Sequence, residues 1–420
     1  MPKPDVPVIR NRVRFGRRRL GRGAMLLGPA FVAAIAYVDP GNVAANLTGG
    51  ARFGYLLVWV LVAANLMAAI VQYQSAKLGI VTGQTLPQLL GQRLGTTSRR
   101  AFWVQAELIA VATDLAEVIG GAIALNLLFG LPLPLGGLIV GVVSMLLLAT
   151  QNRYGQRPFE SVIIALLAIV AIGFLAGLVT NPPDAPSVLA GLVPRFEGAN
   201  SVLLAASMLG ATVMPHAIYV HSALARDRHG HATSAASRRR LLGATRWDVG
   251  IALGIAGIVN LGMLLLAAAN LQGVEGTDSI EGAHAAITVA LGPGIALVFA
   301  IGLLASGLAS TSVGSYAGAT IMEGLLHRRI PLLTRRVVTL IPAIGLLAAG
   351  ADPTTSLVLS QVVLSFGIPF ALIPLLRLTN DRSIMQEQAN RGPMRWALGL
   401  IVTLVIVLNL ALIYLTITGA

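Results

Sequence analysis

The 420-residue chain contains no cysteine, which excludes disulfides, thiolate metal sites and a cysteine nucleophile. Charge is nearly as scarce, since Asp, Glu, Lys and Arg make up 11% of the residues against about 25% in a soluble domain. With 55% hydrophobic residues and a mean hydropathy of +0.79, too little charge remains to solvate a surface of this size. A cytosolic enzyme, a nucleic-acid-binding module and a disordered chain are thereby ruled out. Acidic residues are the scarcer charge, 17 against 30 basic, and the formal net charge of +13 invites a nucleic-acid partner. The basic residues, however, lie in short clusters between apolar runs rather than along one face, so the expected surroundings are a lipid bilayer. No nucleic acid and no obligatory protein partner are indicated.

Apolar runs are what the chain has in abundance. They fall at 24–48, 55–76, 102–130, 133–150, 161–180, 201–225, 249–271, 284–325, 332–350, 355–376 and 396–418. Since a spanning helix needs about 20 apolar residues, these read as spans 1 to 11 of an all-α integral membrane protein. The eighth is overlong. If the amino terminus is cytoplasmic, 28 of the 30 Lys and Arg residues lie on the inner side and only Arg52 and Arg195 outside. This is a strong positive-inside signal. It puts the amino terminus inside, the carboxyl terminus outside and the protein in the plasma (inner) membrane. The basic first 22 residues read as a retained tail rather than a signal peptide. Asp184, Glu197, Glu275, Asp278, Glu281 and Asp352 leave the outer face negative, which either concentrates cations at the mouth or reflects ordinary solvated loops.

Two spans are interrupted. Span 1 reads Ala36-Tyr37-Val38-Asp39-Pro40-Gly41-Asn42 and span 6 reads Gly210-Ala211-Thr212-Val213-Met214-Pro215-His216. Each proline removes a backbone donor and clashes with the preceding turn. Pro40 and Pro215 are 175 residues, or five spans, apart. Matching breaks in two five-helix halves, necessarily of opposite orientation, are the mark of an inverted-repeat transporter that holds its substrate near the midplane. The expected organisation is a basic tail at 1–23, a first repeat at 24–180, an outer loop at 181–200, a second repeat at 201–376, an inner loop at 377–395 and a last helix at 396–420.

An ionisable group in mid-bilayer needs a compensating partner. Asp39 has the amide of Asn42 and freed carbonyls nearby but no adjacent Arg or Lys, which is what a cation site requires; the alternative is a protonated aspartate capping the second half-helix. Met214 precedes Pro215 as Asp39 precedes Pro40. Elsewhere such a methionine would be apolar filler, but beside a break its thioether is a soft ligand that suits Mn²⁺, Fe²⁺, Co²⁺ or Cd²⁺ better than Ca²⁺ or Mg²⁺. Asp114 and Glu117, at i and i+3, share a helix face with Glu107 two turns earlier. Neighbouring carboxylates inside a membrane repel, an arrangement suited to taking up and releasing protons. His216 and His221, at i and i+5, lie about 140° apart around a helix. They read as successive proton acceptors rather than a two-His metal site, or else as hydrogen-bonded packing residues.

Asp39-Pro40-Gly41-Asn42, Met214-Pro215-His216 followed by His221-Ser222-Ala223, and Thr113-Asp114-Leu115-Ala116-Glu117 together resemble the Nramp family of divalent transition-metal transporters, over essentially the whole chain. The resemblance implies a LeuT-like fold, eleven transmembrane helices and a 5+5 inverted repeat with broken helices 1 and 6. It implies that Asp39, Asn42, the Met214 sulfur and the Ala211 carbonyl bind the metal, with Gln361 an additional ligand in one conformation. It further implies that Asp39 accepts the proton, that His216 tunes or relays it, and that Asp114, Glu117 and the ninth-span arginines Arg335 and Arg336 form the polar route inward. Taken alone, those arginines read as positive-inside anchors. Bacterial members of the family import manganese with protons, need no cofactor, and keep a methionine that magnesium-transporting relatives lack. The chain departs from the family pattern at Ala217, where many members have Asn, and at Leu308 and Ala319, where a polar residue is usual.

The alternative within transport is a sodium-coupled amino-acid symporter of the same fold. In that case Asp39 would repel the substrate carboxylate that the half-helix amino termini should bind. An intramembrane enzyme is not expected, since no H-E-x-x-H motif occurs. A passive channel is opposed by the paired breaks.

Overall fold

The computed structural model describes residues 28–154, 156–230, 234–328 and 332–418; the basic tail expected at 1–23 lies outside the described residues. Among those residues the structure is helical, with no strand. The first half comprises α1 (Pro29–Ile35), a 3₁₀ turn (Ala36–Val38), α2 (Pro40–Phe53), α3 (Val58–Thr82), α4 (Leu86–Arg93), α5 (Thr96–Phe129), α6 (Leu133–Tyr154) and α7 (Gln156–Thr180). A short α8 (Ala185–Ala190) leads into α9 (Gly198–Thr212), α10 (Pro215–His229), α11 (Ala235–Asn270), α12 (Ile280–Leu291), α13 (Pro293–Leu326), α14 (Leu332–Ala348) and α15 (Pro353–Asn380). The chain ends on α16 (Arg382–Met385), a 3₁₀ turn (Gln386–Gln388) and α17 (Pro393–Thr418).

Eight helical stretches among the described residues are long and apolar enough to cross a membrane, and they correspond to spans 2, 3, 5, 6, 7, 8, 10 and 11. Of the other three, span 1 is cut at Asp39, span 4 is a helix of 22 residues whose side chains are described only as far as Leu147, and span 9 is a helix of 17 residues. The overlong span at 284–325 is corrected by the structure: it is two helices, α12 and α13, separated at Gly292 with φ +91°. Pro293 then starts α13 at a position where its missing N–H costs nothing.

The helices pack in exchanged pairs. α2 packs on α11 as α10 packs on α3, and α13 packs on α7 as α5 packs on α15. α3 meets α11, α5 meets α13 and α6 meets α14, each helix touching its own counterpart in the other half. A five-helix unit repeated about a two-fold pseudo-axis requires this pattern. α17 stands outside it, against α9 and α15.

Both breaks have one local cause. Proline pushes the residue before it out of the α region, so Asp39 (φ −71°, ψ 167°) and Met214 (φ −60°, ψ 124°) are extended and serve as amino-terminal caps. Pro40 and Pro215 are then the first residues of α2 and α10 rather than kinks within them. The first break is wedged from the side, because a Cβ on Gly120 of α5 would overlap the ring of Pro40. Gly120→Ala is expected to force α5 away from the break at a cost of about 1–3 kcal/mol, read as a lowered melting temperature of the detergent-solubilised protein.

Candidate metal site and proton route

The two breaks face each other. Asp39 Oδ1 accepts from the Asn42 backbone N–H at 2.8 Å and from Asn42 Nδ2 at 2.9 Å. The same Nδ2 donates to the carbonyl of Ala211 at 2.8 Å, so one amide ties the first break to the second. The Ala211 carbonyl is available because Pro215, four residues on, has no N–H to occupy it. Thr212 Oγ1 holds Asn42 Oδ1 at 3.4 Å. Gln361 of α15 lies over this point, where its side chain covers Gly41 and its backbone carbonyl meets Gly210; a Cβ on either glycine would collide with it. Asp39, Asn42, Ala211, Met214 and Gln361 are all fully buried.

The carbonyls expected to be free beside Asp39 are taken. Asn260 Nδ2 of α11 donates to Tyr37 O at 2.7 Å and Ser306 Oγ of α13 to Val38 O at 2.5 Å. Hydropathy gave no reason to choose these two residues; they matter because a broken helix in a dry interior must have its backbone satisfied by neighbours. What remains without a partner is Asp39 Oδ2 and Gln361 Oε1. A carboxylate oxygen buried without a donor is costly, and a cation is one way to satisfy it. Among the described residues no three His, Cys, Asp or Glu side chains cluster as metal ligands, so a metal site at the breaks would combine the one carboxylate with neutral donors, for which the Asn42 amide, the Ala211 carbonyl and the thioether of the cap residue Met214 are the candidates. That donor set suits a divalent transition metal.

Along α5 the acidic residues meet the arginines of α14. Arg336 reaches Asp114 at 3.1 Å with both side chains buried, and its Nε donates to Ser144 at 3.2 Å. Arg335 pairs with Glu107 at 2.8 Å. Neither arginine is a surface anchor: the Arg336–Asp114 pair is buried and the Arg335–Glu107 pair partly so. Glu117, by contrast, is fully buried with neither carboxylate oxygen hydrogen-bonded. Room for this cluster comes from Gly314, which faces the Glu117 and Asp114 carboxylates, and Gly318, which lies against the Arg335 guanidinium.

The two histidines of α10 go to different neighbours. His216 Nδ1 lies 3.3 Å from Thr113 Oγ1, beside Asp114. His221 Nδ1 contacts Gln72 Oε1 of α3 at 2.7 Å, and Gln72 Nε2 donates to the Tyr37 hydroxyl. His216 therefore faces the α5 acids, while His221 belongs to a separate Gln72–Tyr37 chain. Ala217, Leu308 and Ala319 make none of these contacts.

A family described as natural resistance-associated macrophage protein-like, Nramp, matches residues 30–415. The chain belongs to the Nramp family. It is 62% identical over 396 residues to the divalent metal cation transporter MntH of Mycobacterium tuberculosis, covering 94% of this chain and 92% of that protein. A crystal structure of the manganese transporter of Eremococcus coleocola, bound to an aromatic bis-isothiourea substituted compound, superposes with a TM-score of 0.84 at 31% identity, over 97% of this chain and 90% of that one. MhsT in complex with L-phenylalanine aligns with a TM-score of 0.60 at 15% identity over 96% of this chain and 100% of that one, a likeness of fold alone. This Nramp chain has the LeuT-like fold with an inverted repeat and two broken helices.

Proposed function

We propose that the protein is a secondary active importer of divalent transition metal ions, Mn²⁺ and with it Fe²⁺, Co²⁺ and Cd²⁺, coupled to protons by alternating access. The observation that carries this reading is the orphaned, fully buried Asp39 Oδ2 beside the Asn42 amide, which joins it to the proline-freed Ala211 carbonyl of the break that Met214 caps. Asp39, through its unpartnered Oδ2, together with Asn42, the Ala211 carbonyl and Met214 holds the metal, and Gln361 joins when α15 shifts. The Asn42 amide donates to both Asp39 and Ala211, and holding a metal requires it to turn and present its oxygen. Protons leave Asp39 by way of His216 and Thr113 to Asp114, Glu117 and the Glu107–Arg335 and Asp114–Arg336 pairs. The amino terminus is cytoplasmic in the plasma membrane, supported by the 28-to-2 division of basic residues. Seats for a substrate carboxylate, which an amino-acid symporter would need, are opposed by Asp39 at the break.

The test is Mn²⁺ uptake into proteoliposomes with and without an inward proton gradient, with excess Ca²⁺ or Mg²⁺ as competitor. Uptake accelerated by the gradient and indifferent to Ca²⁺ is expected; uptake blocked equally by Ca²⁺ or Mg²⁺ rejects the proposed site. Within this scheme Glu117→Gln removes a carboxylate that no hydrogen bond uses. It should leave Mn²⁺ uptake measurable while abolishing its acceleration by the gradient, as read with a pH-sensitive dye inside the vesicles. Undiminished proton entry with the metal would place the route elsewhere.

A further inference from the structure

Where α15 ends and α17 begins, the structure has a groove of about 760 Å³ that belongs neither to the metal site nor to the proton route. Arg377, Asn380 and Asp381 line it from one side, and Arg395, Trp396 and Gly399 from the other. Both arginines are exposed, and neither has a carboxylate within ion-pair distance among the described residues. Asp381, which lines the same groove, is ion-paired with Arg93 and not with either of them. Hydrogen bonds from the Ser383 hydroxyl and backbone N–H hold its carboxyl below the usual range, and its charge faces Arg93 at 3.5 Å. Two exposed guanidinium groups with planar donor forks line the same groove, a composition that suits a phosphate.

The surroundings distinguish a lipid phosphate from a free one. Trp396 is 81% exposed at the first turn of a helix that runs into the apolar layer, the level at which tryptophans sit at a membrane interface. Past the groove, Leu400, Leu404 and Val407 continue along α17 as exposed apolar side chains, a strip on which an acyl chain can lie. Basic pockets between membrane helices are a recurrent seat for anionic head groups. We infer that this groove binds the phosphate of an anionic phospholipid, with Arg377 and Arg395 on the head group, Trp396 at the glycerol level and the chain along α17. α17 lies outside the repeat and packs on α9 and α15, the helices that carry Ala211 and Gln361. A lipid seated here thus clamps the peripheral helix to the second half of the core.

The experiment uses the full chain in detergent micelles containing equal amounts of phosphatidylglycerol and phosphatidylcholine, with bound lipid counted by native mass spectrometry. Phosphatidylglycerol should be enriched on the wild type. Arg377→Ala/Arg395→Ala should reduce the enrichment by at least about fivefold, the effect of a single basic residue near an anionic surface, while Arg52→Ala/Arg195→Ala leaves it unchanged. An unchanged ratio in the Arg377/Arg395 variant overturns the inference, as does loss of the preference when inorganic phosphate is added in large excess, which assigns the groove to a free anion. A second measurement needs no arginine variant. Trp396 fluorescence, taken as the difference between wild type and Trp396→Phe, should be quenched more by brominated phosphatidylglycerol than by brominated phosphatidylcholine. Equal quenching also overturns the inference.

Discussion

Asp39→Asn is expected to reduce Mn²⁺ uptake by at least about a hundredfold, more than the loss of a group that only supports a metal ligand usually costs. The substitution is informative because it changes so little else. Asp39 caps α2 by accepting from the Asn42 N–H, and asparagine is an equally good cap, so α2 should form and the break should stay open. The second oxygen, which has no donor aimed at it, is replaced by an NH₂ of nearly the same size. What is lost is the only formal negative charge among Asp39, Asn42, Ala211, Met214 and Gln361. A divalent cation entering a dry site gives up a large hydration energy, and neutral dipoles alone do not replace it. The measurement is uptake by the variant reconstituted at matched protein density, with its melting temperature confirming the fold. Uptake at the wild-type rate would reduce Asp39 to a helix cap.

What the sequence could and could not reveal follows from the range of each interaction. The breaks were legible because their cause is local: a proline fixes its own φ and pushes the preceding residue into an extended conformation. The Ala211 carbonyl follows from the same rule applied four residues upstream of Pro215, though the first argument for it was resemblance. The Gly292-Pro293 junction was equally local, and a Gly-Pro pair is a turn signal; apolar neighbours on both sides masked it in a hydropathy reading. Gln361 is a different case. α15 also carries Ser360 and Ser365, and only the close approach of Gly41 and Gly210 singles out the glutamine. Arg335 and Arg336 match an anchor pattern as well as an ion-pair one, and the choice depends on Glu107 and Asp114, more than 200 residues earlier in the chain. Asn260 and Ser306 carried no signal at all, since their partners are backbone carbonyls that exist as acceptors only because the first helix is broken.

Met214→Ala is expected to change which ions compete rather than whether metal is carried. Met214 is fully buried and extended by Pro215, so its backbone conformation survives truncation and the half-helix α10 keeps its start. The thioether is the single soft donor in the set; the others are oxygens. Oxygen ligands discriminate weakly between Mn²⁺ and Ca²⁺, whereas sulfur favours the transition metal and gives Ca²⁺ a poor contact. Shortening the side chain also leaves a space that water or an oxygen-rich coordination shell can fill, which suits the larger Ca²⁺ with its higher coordination number. Mn²⁺ uptake should therefore persist at reduced affinity, with Ca²⁺ becoming an inhibitor at concentrations roughly tenfold lower than for the wild type, a change of ~1.4 kcal/mol in relative binding. Cd²⁺, the softest of the proposed cargoes, should lose more than Mn²⁺ does, and that ratio separates loss of a soft ligand from a general loosening of the site. If Ca²⁺ still fails to compete and Cd²⁺ and Mn²⁺ decline together, the discrimination lies in the gating of α2 and α10 and not in the sulfur.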